Sequence, residues 1–184
     1  MTERETPGNG AAEPSPGSDG STPDLVVVCG LPGVGKTTVA ETVADRLDAT
    51  VLRSDVVRKD LVADPEYSKA ETERVYAELF RRARGRVADG GSVVLDATFQ
   101  RAAFREEVRA VAADVGAPFR MVKVECDQTT VEERIRARTD DESDADVAIH
   151  RMFRDEYDEL TGPHVVVDNS GSVAEMREQV ADAF

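Results

Sequence analysis

The stretch Gly30-Leu-Pro-Gly-Val-Gly-Lys-Thr-Thr38 constrains this chain more than any other. It fits G-x-x-x-x-G-K-[ST], the pattern of a phosphate-binding loop. An apolar run, Leu25 to Cys29, precedes it, and Val39, Val43 and Leu47 follow at helical spacing. An ordinary Gly/Pro turn does not account for strand, loop and helix arriving together. Glycines let backbone N–H groups close around phosphate oxygens, and the helix turns its positive end to the same anion. The residues expected to cradle the phosphates are Gly30, Leu31, Pro32, Gly33, Val34, Gly35, Lys36, Thr37 and Thr38. Lys36 can reach the β- and γ-phosphates, and the Thr37 hydroxyl can ligate Mg²⁺. The expected ligand is a nucleoside triphosphate with its magnesium, and the open question is the fate of the γ-phosphate.

Short β-branched runs alternate with amphipathic stretches on either side of this loop. Strands are predicted over 25–29, 50–53, 92–95, 119–124 and 165–167. Helical periodicity predicts helices over 36–47, 55–61, 69–89, a stretch marked by Phe104, Val108 and Val111, and then 129–138, 148–160 and 173–183. An acidic loop is expected over 140–146. Such alternation implies an α/β fold of three layers, a parallel sheet with helices on both faces. Residues 1–23 are rich in Gly, Pro, Ser, Thr and Glu, without aliphatic periodicity. They hold too little apolar surface to offset ordering entropy, so a disordered tail is expected before a domain over 24–184.

Ligands in parallel sheets lie at the carboxyl ends of the strands. After the second strand come Ser54, Asp55 and, three residues on, Arg58, which share a helix face with Asp55. Asp55 can take a proton from an attacking hydroxyl, and Arg58 can hold a polar group of the acceptor or orient Asp55. A simple helix cap by Ser54 or Asp55 is the competing explanation. After the third strand, Asp96 stands where the Walker B carboxylate belongs and is expected to reach Mg²⁺. The next residue is Ala97, where motor-type hydrolases commonly place a water-activating Glu, so transfer is favoured over hydrolysis. After the fourth strand, Arg134 and Arg138 face one way beside the acidic loop. They can close on a transferring phosphoryl group, or they can merely pair with glutamates on a solvated face.

The net charge of −14 and the lack of a basic stripe disfavour constitutive binding to nucleic acid or an anionic membrane. No apolar run approaches the roughly 18 residues of a membrane helix. With no signal-peptide pattern, a cytoplasmic protein is expected. Cys29 and Cys126 form no metal-ligand spacing and are expected to be buried apolar residues, and His150 and His164 structural ones. The oligomeric state stays open.

Taken together, GLPGVGKTT, SDVVR, VVLDATF with Arg105 nine residues after Asp96, and ERIRART followed by SDAD resemble the small P-loop kinases of the AAA-family ATPase and zeta-toxin-like group. The likeness covers about residues 24–160. It is nearest to the kinase domain fused to aminoglycoside-phosphotransferase-like proteins, and is similar to polynucleotide 5′-hydroxyl kinases, gluconate kinases and the kinase acting on seryl-tRNA(Sec). The resemblance implies an ATP- and Mg²⁺-dependent phosphotransferase with strand order 2-3-1-4-5. It implies Asp55 as the group that activates the hydroxyl, Arg58 as the holder of a substrate phosphate, Arg134 and Arg138 as lid arginines, and Asp168-Asn169-Ser170 near the adenine. Thr37 departs from the Gly that adenylate-kinase-type enzymes place after the loop lysine, and the N-K-x-D and LSGGQ signatures are absent. The favoured acceptor is a small-molecule hydroxyl. The alternatives are a polynucleotide or tRNA end, and an ATP-binding switch with no acceptor. Deleting residues 1–23 is expected to leave ATP affinity and melting temperature nearly unchanged, as read by calorimetry and thermal melts.

Overall fold

The computed structural model describes residues 22–137 and 143–184, with side chains described over 22–137 and 148–184. In chain order its strands are β1 (Leu25–Cys29), β2 (Thr50–Arg53), β3 (Val93–Asp96), β4 (Phe119–Glu125) and β5 (Val165–Asp168). Its helices are α1 (Lys36–Leu47), α2 (Ser54–Leu61), α3 (Lys69–Ala88), α4 (Ala102–Asp114), α5 (Gln128–Arg136), α6 (Ser143–Asp155) and α7 (Val173–Ala183). The sheet is parallel throughout and ordered β2-β3-β1-β4-β5, as the resemblance implied. No helix among the described residues is long and apolar enough to cross a membrane.

The reason β1 is central is its composition. Leu25, Val26, Val27, Val28 and Cys29 are all fully buried, so neither face can meet water. Side-chain alternation then divides the interior in two. Leu25, Val27 and Cys29 pack with Val57 of α2, Leu79 and Phe80 of α3 and Val108 of α4. Val26 and Val28 pack with Val39 and Val43 of α1, Val131 of α5 and Met176 of α7. The register aligns Val28 with Asp96 of β3 and with Val122 of β4, so the functional strand ends lie level at one edge.

Two expectations need correction. Cys126 is only half-buried, because it follows β4 rather than lying within it. The sixth helix spans 143–155 rather than 148–160, and of the expected acidic loop only residues 140–142 fall outside the described ones.

The early end has a tertiary cause. Arg105 of α4 is 2% exposed, and its Nη2 donates to the carbonyls of Asp158 (3.0 Å) and Glu159 (2.8 Å). Its Nη1 donates to the carbonyls of Phe99 (2.7 Å) and Gln100 (3.0 Å). The Asp158 N–H meanwhile donates to the Gln100 carbonyl at 3.1 Å. The Asp158 N–H is thereby taken from the Arg154 carbonyl that a continuing helix would offer it, and Arg105 fixes the chain in this turned course.

Arg105→Met keeps much of the volume but leaves the Phe99, Asp158 and Glu159 carbonyls without their donor, while Gln100 O keeps the Asp158 N–H. A loss of about 3 kcal/mol or more is expected, since each orphaned buried group costs about 1–3 kcal/mol. Urea unfolding checks this, with exposed Arg177→Met as a control expected within about 0.5 kcal/mol of the parent.

Candidate active site

The phosphate-binding loop leaves β1 and enters α1 at Lys36. Gly35 has φ 87°, a left-handed value, and a Cβ there would strike the Asn169 amide. Gly30 has φ 145°, and a Cβ would come within 2.5 Å of the Val124 carbonyl oxygen. Three loop carbonyls are engaged, one by Lys36 of the loop itself and two from elsewhere in the fold. Leu31 O accepts from Lys36 Nζ (2.8 Å), and Val34 O accepts from Asn169 Nδ2 (2.8 Å). Pro32 O lies 2.7 Å from His150 Nδ1, which donates to it. With the carbonyls engaged, the orphan N–H groups of the first turn of α1 remain for an anion.

Thr37 Oγ1 donates to Asp96 Oδ2 at 2.7 Å, so the two expected magnesium ligands adjoin. Burial lowers the Lys36 pKa, although Asp96, Cys29 and Asp55 oppose the shift. Burial likewise raises that of Asp96, against the Thr37 hydrogen bond, Lys36 and Arg53. Each charge is therefore under-solvated. A divalent cation at Asp96 and a polyphosphate at Lys36 would supply the missing counter-charge, so these residues fit a magnesium-bound nucleotide.

Arg53, which carried no role in the sequence reading, pairs in register with Asp96 across β2 and β3. Its Nη2 donates to Asp55 Oδ2 at 2.8 Å, and its Nε stands 3.9 Å from Asp96 Oδ2. That Nε is buried without a hydrogen-bond partner among the described residues, a donor suited to a further oxygen. Asp55 itself is half-exposed at the first turn of α2 and also accepts the Val56 N–H at 2.9 Å.

Arg58 does not orient Asp55. It forms a buried ion pair with Glu71 of α3 and lies over the Tyr67 ring, 4.6 Å from its centroid. Burial disfavours the Glu71 carboxylate, but the Glu66 N–H, Arg58 and the Tyr67 N–H together hold its pKa below the usual range. Arg134 also departs from expectation. Its Nη1 donates to Asn169 O (2.8 Å), and Nη2 reaches Gly171 O (3.5 Å), so it clasps the loop after β5. Arg138 lies outside the described residues. Of the segment expected near adenine, Asn169 is buried and braces the loop, while Asp168 accepts from the N–H and hydroxyl of Ser170.

The corner after β3 is held rigidly. Phe99 is fully buried with φ 49°, a strained value for a bulky residue. Its N–H donates to Tyr76 Oη at 2.9 Å, and its carbonyl accepts from Arg105. Thr98 O accepts from both the Gly30 N–H (3.3 Å) and Tyr157 Oη (3.1 Å), which ties this corner to the start of the loop. Asp55, Arg58, Pro32 and Thr98 border a cleft of about 660 Å³ between α2, α3 and α6. A second cavity of about 680 Å³ lies behind the loop, where Lys123 and Glu125 neutralise one another at 2.6 Å.

This sheet order, loop and Thr37–Asp96 pair define the P-loop kinase fold. The chain matches the AAA domain family over residues 25–160 and belongs to it. It is 35% identical over 139 residues to an uncharacterized protein of Mycobacterium tuberculosis strain H37Rv, covering 68% of this chain and 28% of that protein. The chain thus spans less than a third of the length of the curated relatives it matches. A gluconokinase from Sinorhizobium meliloti 1021 shares the fold at TM-score 0.66 and 20% identity, over 88% of this chain and 94% of that one. The Mycobacterium tuberculosis APS kinase CysC, solved with AMPPNP and APS, superposes at TM-score 0.68 with 26% identity, over 88% of this chain and 96% of that one.

Lys36→Ala is expected to weaken ATP binding by about 10- to 100-fold, the worth of one charge-assisted contact, with an unchanged circular dichroism spectrum. Asn169→Ala, which only unbraces Val34 O, should weaken it about tenfold. Isothermal titration with ATP and Mg²⁺ measures both.

Proposed function

We propose that this chain is an ATP-dependent kinase that transfers the γ-phosphoryl group to a hydroxyl of a small molecule. The observation that carries this reading is Asp55. It is a carboxylate bound by Arg53 at 2.8 Å, beside the Thr37–Asp96 pair, and it opens onto the 660 Å³ cleft. A nucleotide switch has no use for a second carboxylate there. The small-molecule kinases among the solved neighbours support the same class.

In this mechanism the loop N–H groups and the start of α1 bind the triphosphate of ATP, the co-substrate. Lys36 exchanges the Leu31 carbonyl for β- and γ-oxygens. Thr37 and Asp96 would hold Mg²⁺, which would supply positive charge to offset that of the polyphosphate. Asp55 accepts the proton of the acceptor hydroxyl as its oxygen attacks γ-phosphorus, the bond to the bridging oxygen breaks, and ADP departs. Arg53 holds Asp55 in place through its hydrogen bond. Arg134, on exchanging its carbonyl partners, and Arg138 are assigned to the equatorial phosphoryl oxygens. A polynucleotide end would ask Arg58 to bind a substrate phosphate, whereas Arg58 is engaged by Glu71.

Asp55→Asn keeps the shape and the cap but removes the base. ATP·Mg binding should persist while transfer falls about 10²–10⁴-fold. An ATP-consumption assay over hydroxyl metabolites and 5′-hydroxyl oligonucleotides reads this out. Transfer at the parent rate would reduce Asp55 to a helix cap.

A further inference from the structure

The cleft beside Asp55 has a chemistry of its own. Among the described residues, six large apolar side chains are exposed, and Tyr67 (72%), Ile149 (43%) and Met152 (50%) of these line this one cleft. A fourth, Val56, neighbours Asp55 on α2. Apolar groups left in water and gathered around a concavity mark a recognition site. They come from opposite sides, Tyr67 preceding α3 and the other two from α6. Beneath them, Tyr76 and Phe104 are stacked with centroids 3.9 Å apart and planes 3° from parallel. Tyr76 in turn packs edge-on against the strained Phe99. The floor is therefore aromatic and fixed.

The charges in the cleft cancel. Arg58, Lys69 and Arg101 are matched in number by Asp55, Glu73 and Glu156. Arg58 is bound to Glu71, and Lys69 stands 3.8 Å from Glu73. A site for a sugar acid or a phosphate end needs surplus positive charge, which the lining lacks among the described residues. On a chain of net charge −14, a neutral and apolar cleft is a local departure from the surface around it.

Resting on the kinase reading above, we infer that the acceptor is an uncharged alcohol with a largely apolar body. The body lies on the Tyr76–Phe104 floor between Tyr67 and the Ile149–Met152 wall, with its hydroxyl at Asp55.

The test uses the full chain and N-phenyl-1-naphthylamine, an uncharged fluorophore that brightens in apolar sites. Binding is expected, with displacement by 2-(2-naphthyl)ethanol but not by millimolar gluconate, glycerol or a 5′-hydroxyl oligonucleotide. The double variant Ile149→Asn, Met152→Asn, at exposed positions that the fold does not need, should weaken displacement at least about tenfold. Its ATP affinity should stay unchanged. No fluorophore binding, equal competition by gluconate or the oligonucleotide, or an unaffected double variant would each overturn the inference. ATP consumption separates the two readings. Phosphorylation of gluconate without fluorophore binding keeps the kinase and removes the apolar acceptor. Displacement by the naphthyl alcohol with no phosphorylation of any alcohol supports the apolar site and overturns transfer.

Discussion

A loop can cradle an anion only if its carbonyls point elsewhere and remain satisfied there. In this protein three of them do so through three separate parts of the chain. Lys36 of α1 takes Leu31 O, His150 of α6 takes Pro32 O, and Asn169 after β5 takes Val34 O. Each bond is modest in net worth, about 1 kcal/mol, but an unmade bond at a buried carbonyl costs more than a made one returns. The loop conformation therefore requires α6 and the end of β5 to be in place. The anion site is a property of the assembled domain, although its motif is contiguous.

A second group of bonds steadies the neighbouring strand end. Arg105 gathers the carbonyls of Phe99 and Gln100 on one side and of Asp158 and Glu159 on the other. It thereby supports the strained Phe99 and stops α6 at Asp155. Tyr157, brought in by that turn, donates to Thr98 O, which also takes the Gly30 N–H. Catalytic corners commonly hold sparsely populated backbone angles, and they persist only when surrounding bonds over-determine them. The four bonds that Arg105 makes here are all to neutral carbonyls, with no carboxylate partner among the described residues.

Electrostatics links the loop to the cleft. Arg53 connects the carboxylates on either side of it, donating to Asp55 and standing 3.9 Å from Asp96. Burial opposes the charge on both Lys36 and Asp96, so the loop is electrostatically poised for a polyphosphate with its cation. Among the described residues, the lining of the cleft beside Asp55 balances its positive and negative side chains. Asp55, bonded to Arg53, lies where this cleft begins.

Much of this was legible in the chain, because some signals are local. Residues 25–38 contain a buried-strand run, the loop glycines and a helix start in one stretch, so the loop, Thr37 and the strand pattern follow from short-range chemistry. Asp55 and Asp96 were readable because parallel sheets present ligands at strand ends. The partners of these groups were not readable. His150 lies 118 residues from Pro32, and Asn169 lies 135 residues from Val34, and no local pattern records such pairings. Arg53 was unassigned because its meaning comes from register with Asp96 on another strand. For Arg58 and Arg134 the sequence offered an acceptor group, Asp55, a phosphoryl group or neighbouring glutamates as partners, since spacing does not reveal that Glu71 and the Asn169 carbonyl engage them. The end of α6 was misplaced for the same reason, a helix pattern overruled by Arg105 from 50 residues upstream. What the sequence alone determined was the fold class and the anion loop, which depend on hydrophobic periodicity and on glycine conformation within a few residues. Only the tertiary structure decided which polar groups satisfy one another, because a buried donor bonds to whichever acceptor packing brings within about 3 Å, regardless of its distance along the chain.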